Sequence, residues 1–242
     1  MIQLHYYPSN ASMIPHIVLE EMGLPFELVL VDRSQNAQKS PAYLKLNPNG
    51  KIPTLIETEA GQPDLVLYEG AAICLHLCDT HPKLGGSGGL MPPVGSRERA
   101  HAYKWLLWLS NTFQPDIMMY YYPERYVASS DLEVVKGVAA QAQARINGHL
   151  AQLDDELARA NSAILTRSKA SDDLDEGDGW FLGQRYSILD AYVFVLCRWT
   201  RGFTSGPARS FERHLGPYLQ RMLARPAVQR VIATEKLQPP LV

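Results

Sequence analysis

Two short segments carry residue types that can hold a ligand with an anionic group and an amine. Residues 52–57 set Pro53 at the start of a strand pattern, and residues 65–73 place Glu69 where another strand changes into a helix. Because proline cannot donate to a sheet ladder, we expect Pro53 at a strand's first residue, an edge or a bulge, where a cis bond would bend the chain. The helix start near Gly70 leaves backbone N–H groups for an anion, while the Glu69 carboxylate can hold an amine. The pattern predicts that Pro53 and Glu69 lie close together.

A third polar segment, residues 7–12, carries several hydroxyl groups and directly precedes the first predicted helix, residues 13–22. A hydroxyl at a helix N-terminus favours an anion, because the positive end of the helix dipole adds to its hydrogen bond. Two structural roles are also open to these residues. Ser12 could be an N-cap, and Ser9 could be a turn residue after Pro8.

Composition excludes several classes of function. The chain of 242 residues has a net charge of -2, from 23 basic and 25 acidic residues spread along it. This balance argues against a nucleic-acid surface or a membrane-binding arm. The longest strongly apolar run, residues 191–197, is too short to span a bilayer, and residues 1–4 lack the features of a signal peptide. We therefore expect a cytoplasmic protein with no nucleic-acid or membrane partner.

The cysteines and histidines indicate neither disulfides nor a metal site. Cys74, Cys78 and Cys197 are an odd number without a C-x-x-C pair, which is typical of reduced thiols in an intracellular protein. Cys74 and Cys78 lie four positions apart on one predicted helix, as small hydrophobic residues of a core would. The seven histidines show no metal-ligand spacing, so no metal is expected.

The chain divides into two domains by its patterning. Over residues 1–81, strands and helices follow the order βαβ, α, ββα. Residues 82–96 are rich in Gly, Pro and Ser, and they are predicted to be a linker. Every strong pattern in residues 97–242 is helical, which predicts an all-helical domain. Within it, the acidic stretch 166–179 is expected to be a mobile surface loop without a catalytic role.

Three motifs, in this order, resemble the cytosolic glutathione transferases. They are Asn-Pro-Asn-Gly-Lys-Ile-Pro-Thr at 47–54, Tyr-Glu-Gly-Ala-Ala-Ile at 68–73 and Trp-Phe-Leu-Gly-Gln-Arg-Tyr-Ser-Ile-Leu-Asp-Ala at 180–191. The resemblance covers nearly the whole chain. It implies an α+β thioredoxin-like N-terminal domain followed by an all-α helical bundle. In the third motif, Ser187 and Asp190 are expected to form a capping box, which is a folding device.

The resemblance implies that glutathione is the co-substrate and binds in the N-terminal domain. The residues expected to contact it are Gln38, Lys51, Ile52, Pro53, Glu69 and Gly70. Glu69 and the Gly70 backbone would hold the γ-glutamyl end, and the Ile52 backbone before a cis Pro53 would pair with the cysteinyl unit. Gln38 and Lys51 would face the glycyl carboxylate or its neighbours. Gly70 departs from the family pattern, which has Ser there, and this loses one hydrogen bond of about 1 kcal/mol.

The residue that activates the glutathione thiol remains a choice between Ser9 and Ser12. Counting back from the end of the first helix, Ser9 falls where serine-type members of the family have their catalytic hydroxyl. Ser12 aligns with the serine that follows the active residue of cysteine-type bacterial members. That active residue falls at Ala11 here, which argues against a mixed-disulfide mechanism, and Tyr7 and Asn10 are weaker alternatives. Lowering a thiol pKa by ~2 units needs ~2.7 kcal/mol, so the helix dipole is expected to help the hydroxyl.

The resemblance also implies a hydrophobic second substrate between the domains. Aromatic and methionine side chains that suit such a pocket follow the first long helix of the C-terminal domain. They are Trp108, Phe113, Met118, Met119, Tyr120, Tyr121 and Tyr122. We expect a glutathione S-transferase that acts in detoxification, forms a homodimer and uses a small electrophile as its second substrate. The alternatives are a glutathione-dependent disulfide-bond reductase and a non-catalytic transferase-like binding or regulatory protein.

Overall fold

A computed structural model describes residues 1–86, 88–168 and 179–242, and these fold into two units. The first unit comprises Met1–Pro92 and Leu223–Gln238, and the second comprises Pro93–Met222 and Pro239–Val242. Most of the acidic stretch that was expected to form a surface loop lies outside the described residues. Among the described residues, none of the helices combines the length and the apolar character that crossing a bilayer requires.

The first unit is built on a mixed sheet of four strands. They are β1 (Ile2–Tyr6), β2 (Phe26–Leu30), β3 (Thr54–Glu57) and β4 (Leu65–Tyr68). The strand order is β2-β1-β3-β4, with β1 parallel to β2 and both other pairs antiparallel. Helix α1 (Met13–Met22) makes the crossover that a parallel pair requires. This arrangement is the thioredoxin-like fold that the family resemblance implied.

Three further helices complete the first unit: α2 (Pro41–Leu46), α3 (Gly70–Thr80) and α9 (Pro226–Thr234). The sequence predicted a helical domain over 97–242, yet α9 belongs with the N-terminal sheet. It is joined to α1 by a bidentate ion pair between Arg225 and Glu21, whose N–O distances are 2.6 and 2.8 Å, and by an ion pair between Arg230 and Glu20. Its apolar face, which includes Val228 and Val231, is buried.

The second unit is helical. Its helices are α4 (Arg97–Trp108), α5 (Gln114–Tyr121), α6 (Leu132–Ser168), α7 (Ile188–Trp199) and α8 (Leu215–Ala224). A π-helical turn, Leu109–Phe113, joins α4 to α5. Pro115 follows this turn and has no N–H to donate to the preceding turn, which explains the local departure from α-helical bonding. Between α3 and α4 the described residues form neither helix nor strand, and Leu90 and Met91 are buried there.

The predicted capping box at the start of α7 is present. The Asp190 carboxylate accepts the Ser187 N–H at 2.8 Å, and its other oxygen accepts the Phe181 N–H and the Tyr218 hydroxyl, each at 2.8 Å. Burial raises the pKa of Asp190, while these hydrogen bonds act in the opposite direction. Every bond of this network lies inside the second unit, so it serves folding, as the sequence indicated.

The three cysteines are core residues. Cys74 and Cys78 are buried on α3, and Cys197 is buried on α7. Burial raises the pKa of the Cys74 thiol, and the nearby Cys78 raises it further; burial likewise raises the pKa of Cys197. A buried thiol with a raised pKa is a poor nucleophile, so the chemistry must come from elsewhere.

Candidate functional site

The register of the sheet brings three segments of the chain to one edge. Thr54, the first residue of β3, pairs with His5 near the end of β1 and with Tyr68 at the end of β4. Because both pairings are antiparallel, Pro53 is next to the end of β1 on one side and next to Glu69 on the other. The sequence-based prediction that Pro53 and Glu69 lie close together is therefore confirmed.

Side chains hold the turn that leads into β3. The Ile52–Pro53 peptide bond is cis, as expected. The Tyr43 hydroxyl donates to the Lys51 carbonyl at 2.8 Å and lies 2.9 Å from the hydroxyl of Thr54. The Asn47 amide donates to the same Lys51 carbonyl at 2.8 Å. Burial raises the pKa of Tyr43, which keeps it a neutral donor, so the backbone around the cis bond is held from two directions.

The turn also packs on the segment that carries Gln38 and Lys39. Gly50 has a φ of 58°, and a Cβ placed there would lie 2.8 Å from the Gln38 carbonyl oxygen. The Lys39 ammonium is 3.4 Å from the Asn49 carbonyl and is exposed, as is Lys51. Gln38 Oε1 is buried and has no hydrogen-bond partner among the described residues. Two lysines and a glutamine therefore meet at one corner, and Lys39 was not among the predicted site residues.

Glu69 occupies the junction between β4 and α3 in an unusual conformation. Its φ is 71°, its side chain is exposed, and that side chain does not cap α3. The Glu69 carbonyl accepts the Ile73 N–H at 3.0 Å, which is the first helical bond. The first N–H groups of α3, beginning at Gly70, have no partner within the helix, as at any helix start. A carboxylate beside such N–H groups can hold the amine and the carboxylate of one amino acid.

Ser12 is engaged inside the protein. It is fully buried, and its hydroxyl donates to the Tyr7 carbonyl and accepts the Tyr7 N–H, each at 3.2 Å. Ser12 occupies the N-cap position of α1, but its hydroxyl makes no capping bond, so the alternative role of a side-chain cap is not seen. Tyr7 in turn packs against the buried cluster that contains Ile52. Ser12 thus ties the loop to the end of β1.

Ser9 is the partly exposed serine of the same loop. Its φ is 61°, and its N–H donates to Oε2 of Glu235 at 2.8 Å. Beside it, Asn10 Oδ1 accepts the Ala11 N–H at 2.7 Å, and the Asn10 carbonyl accepts the Met13 N–H at 3.0 Å. The loop therefore uses the first N–H of α1, and the helix can act on a nearby anion through its dipole. Glu235 was not among the predicted residues.

In the second unit, Trp108 and Phe113 belong to one aromatic cluster. The Trp108 ring is half-buried and lies 5.8 Å from Phe113 and 5.1 Å from His149, measured between ring centroids. Phe113 has no exposed surface. Phe113 is therefore a core side chain in this structure, which disagrees with its predicted place among the substrate contacts.

Tyr120 and Tyr121 form a second cluster. The Tyr120 ring is half-buried, with its centroid 4.2 Å from that of Phe203. Tyr121 is exposed over part of its ring, and its hydroxyl donates to the Trp199 carbonyl. Burial raises the pKa of Tyr121. These two rings offer apolar surface at the end of α5.

No group of three or more His, Cys, Asp or Glu side chains that could hold a metal ion occurs within residues 1–86, 88–168 and 179–242. The polar groups at the sheet edge are instead a carboxylate, lysine ammonium groups, hydroxyls and backbone amides. These groups recognise a charged peptide-like molecule rather than a cation.

Comparison with known proteins assigns the family. Residues 8–80 match the family model of the glutathione S-transferase N-terminal domain. Glutathione S-transferase 3 of Zea mays is 30% identical, over 92% of this chain and 89% of its own. Glutathione S-transferase GstA of Escherichia coli O157:H7 is 28% identical, over 98% of this chain and 100% of its own. A solved sphingomonad glutathione S-transferase complexed with glutathione is 28% identical, with a TM-score of 0.69, over 98% of this chain and 100% of that one. The chain belongs to the glutathione S-transferase family.

Proposed function

We propose that this protein binds glutathione along the sheet edge around Ile52–Pro53 and directs the glutathione sulfur at an electrophilic carbon of a hydrophobic co-substrate. The observation that carries the proposal is the strand register, which brings the loop 7–12, the cis bond and Glu69 to one edge. A tripeptide with an amine at one end, a thiol in the middle and a carboxylate at the other end matches that arrangement.

The γ-glutamyl end binds at the start of α3. The exposed Glu69 carboxylate takes the α-amino group, and the backbone N–H of Gly70 takes the α-carboxylate with help from the helix dipole. No hydroxyl is present at position 70, so the backbone carries this contact by itself.

The other parts of glutathione bind along the turn. The strand ladder begins at Thr54, so the Ile52 backbone just before it can pair with the cysteinyl unit as an added strand would. The glycyl carboxylate faces the corner that contains Gln38, Lys39 and Lys51. Each exposed lysine gives a modest, salt-sensitive attraction, of about 1 kcal/mol or less.

Ser9 is the residue we place beside the sulfur. It is partly exposed, whereas Ser12 is fully buried. A hydrogen bond from the Ser9 hydroxyl to the sulfur stabilises the thiolate over the thiol, and the dipole of α1 adds to this effect. The thiol proton leaves to solvent. The sulfur then forms a C–S bond, and the leaving group departs with its electron pair.

For the hydrophobic co-substrate we retain Trp108, Tyr120 and Tyr121, whose rings are half-buried or exposed. Phe113 is not retained, because it is fully buried. Partly exposed aromatic rings bind apolar groups of varied shape, in keeping with a detoxification enzyme.

The cellular setting is also a proposal. The three cysteines are buried on two different helices and none of them is in a disulfide, which supports a reducing, cytoplasmic location. The family resemblance supports a homodimer, which size-exclusion chromatography with light scattering would test.

Titration calorimetry with glutathione, followed by two assays, tests the proposed function. One assay uses an activated aryl halide as electrophile, and the other uses a small disulfide. Binding together with conjugation supports the proposal. Turnover of the disulfide alone would favour a reductase, and the absence of glutathione binding would favour a non-catalytic protein.

A further inference from the structure

We propose that Glu235, near the end of the chain, is a positioning residue that sets the Ser9 hydroxyl for catalysis. This inference rests on the proposed function. Glu235 follows α9 directly, and one of its carboxylate oxygens accepts the Ser9 N–H at 2.8 Å. Its other oxygen lies 2.9 Å from Nδ1 of His16 on α1. The side chains of Glu235 and His16 are both fully shielded from solvent.

The bond to Glu235 matters because of the backbone conformation at Ser9. A φ of 61° is disfavoured for any residue with a side chain, so the surroundings must hold Ser9 there. The φ and ψ angles of a residue decide the direction of its Cβ and therefore of its hydroxyl. A buried, charge-assisted hydrogen bond at the same residue's N–H is well placed to hold that direction.

The carboxylate is itself rigidly placed. The Glu235 N–H donates to the Val231 carbonyl at 2.9 Å, which continues α9, and the face of α9 that carries Val228 and Val231 is buried. The Nε2 atom of His16 is buried without a hydrogen-bond partner among the described residues. Nδ1 therefore makes the hydrogen bond that holds the His16 ring, and the His16 and Glu235 side chains fix one another.

A second observation shows that the carboxylate acts on this edge of the sheet. Tyr6, the last residue of β1, has a raised pKa, caused first by burial and then by the negative charge of Glu235. Glu235 can thus act through its hydrogen bond to the Ser9 N–H or through its negative charge. A substitution that keeps the hydrogen bond and removes the charge separates the two effects.

The test uses the full chain and compares Glu235→Ala with Glu235→Gln. Alanine removes both hydrogen bonds, whereas the glutamine oxygen can still accept the Ser9 N–H and its NH₂ can face Nδ1 of His16. Glu21→Ala is the matched control, because it also removes a carboxylate between α1 and α9 but touches no residue of the loop 7–12. The readouts are kcat and KM for aryl halide conjugation and the ultraviolet titration of the bound glutathione thiol.

We expect Glu235→Ala to lower kcat about tenfold with the KM for glutathione changed less than about twofold, and to raise the pKa of the bound thiol. Glu235→Gln should recover most of the rate, and Glu21→Ala should match the wild type. In a Ser9→Ala background, Glu235→Ala should cause no further loss, because the two residues act as one unit.

Several results would overturn the inference. A folded Glu235→Ala variant with unchanged kcat would do so, as would equal losses in the alanine and glutamine variants, or a loss in Glu21→Ala as large as in Glu235→Ala. If Glu235→Ala does not fold, Glu235→Asp replaces it, because its shorter side chain withdraws from Ser9. A wild-type protein without conjugation activity would refute the proposed function, and this is seen before any variant is compared.

Discussion

At the scale of single residues, the candidate site depends on backbone conformations that side chains seldom adopt. Ser9 and Glu69 have φ values of 61° and 71°, and each costs on the order of 1 kcal/mol relative to a right-handed conformation. Each is held by a specific neighbour: Glu235 bonds the Ser9 N–H, and the first turn of α3 bonds the Glu69 carbonyl. At such positions we expect some substitutions to change the stability of the protein and its activity by different amounts.

Ser9 can be tested with two substitutions that differ in backbone strain. Ser9→Ala and Ser9→Gly both remove the hydroxyl, so both should lower kcat by about tenfold or more, with a smaller effect on glutathione affinity. Glycine adopts a φ of 61° without strain, so Ser9→Gly should be more stable than Ser9→Ala by about 1 kcal/mol. Conjugation kinetics and chemical denaturation measure the two effects.

Ser12→Ala is the control for the Ser9 variants. It should lower stability by about 1–2 kcal/mol, because it removes two part-buried hydrogen bonds, including the acceptor of the Tyr7 N–H, and it should change kcat less than either Ser9 variant. Unchanged kinetics in both Ser9 variants would move the catalytic assignment to another residue of the loop.

His5 should make stability depend on pH. Burial lowers its pKa in the folded protein, so the unfolded chain binds a proton at a higher pH than the native state does. Its contribution to stability is therefore complete above the ordinary histidine pKa of about 6.5 and is lost as the pH falls through the lower, folded-state pKa. His5→Phe should reduce this loss. Urea denaturation of both proteins between about pH 5 and pH 8 would show it, and parallel curves would contradict the prediction.

At the scale of elements, the site depends on how short segments before β3 pack on one another. Ser40 caps α2 by accepting the Tyr43 N–H at 3.2 Å, and the Tyr43 hydroxyl then bonds the Lys51 carbonyl. Gly50 lets the turn approach the Gln38 carbonyl closely. The cap, the tyrosine and the glycine together set the position of the cis bond relative to Gln38 and Lys51.

Gly50→Ala should weaken this packing. The added methyl group would clash with the Gln38 carbonyl at 2.8 Å, and φ is 58°, so we expect a loss of stability of about 2–4 kcal/mol and weaker glutathione binding. Gly61→Ala is the control, because Gly61 also has a positive φ of 83° but has nothing within 4 Å of its Cβ position. Thermal unfolding and calorimetry compare the two. Equal effects would show that backbone conformation alone, without the close approach, accounts for the loss.

At the scale of the whole molecule, a segment near the C-terminus folds into the same unit as the N-terminal residues. Residues 223–238 join the N-terminal sheet, with α9 packed on α1 and Glu235 bonded to the loop before α1. The last helix therefore contacts the first unit directly, although the paired residues Arg225 and Glu21 are 204 positions apart in sequence.

Val231→Asp tests this long-range arrangement. Val231 is fully buried on α9, so an aspartate there would bury an unpaired carboxyl group and should destabilise the protein by several kcal/mol. Glutathione binding should weaken with it. Ala233→Asp, on an exposed position of the same helix, should change stability by less than about 0.5 kcal/mol. Calorimetric unfolding measures both variants, and a silent Val231→Asp would show that α9 is dispensable for the first unit.

Much of the fold and part of the site could be predicted from residues near one another in sequence. The spacing of apolar residues predicted α1, the order of the β strands and the helical second unit. The capping box at Ser187 and Asp190 follows from residues within a few positions, and the family resemblance implied the cis bond at Pro53. Glu69 could be placed near Pro53 because strand patterns limit how β3 and β4 can pair.

The tertiary structure alone decided the remaining features. Which serine meets solvent, which aromatic ring is core and which carboxylate holds the loop depend on elements that are far apart in the chain. Ser12 is engaged by Tyr7, Phe113 is enclosed by its own unit, and Glu235 reaches Ser9 across 226 residues. Local sequence determines local geometry, because hydrogen bonds and side-chain spacing along a helix or strand involve near neighbours. Burial and long-range contacts are set only when complete elements pack, since the free energy of each placement depends on all of its neighbours.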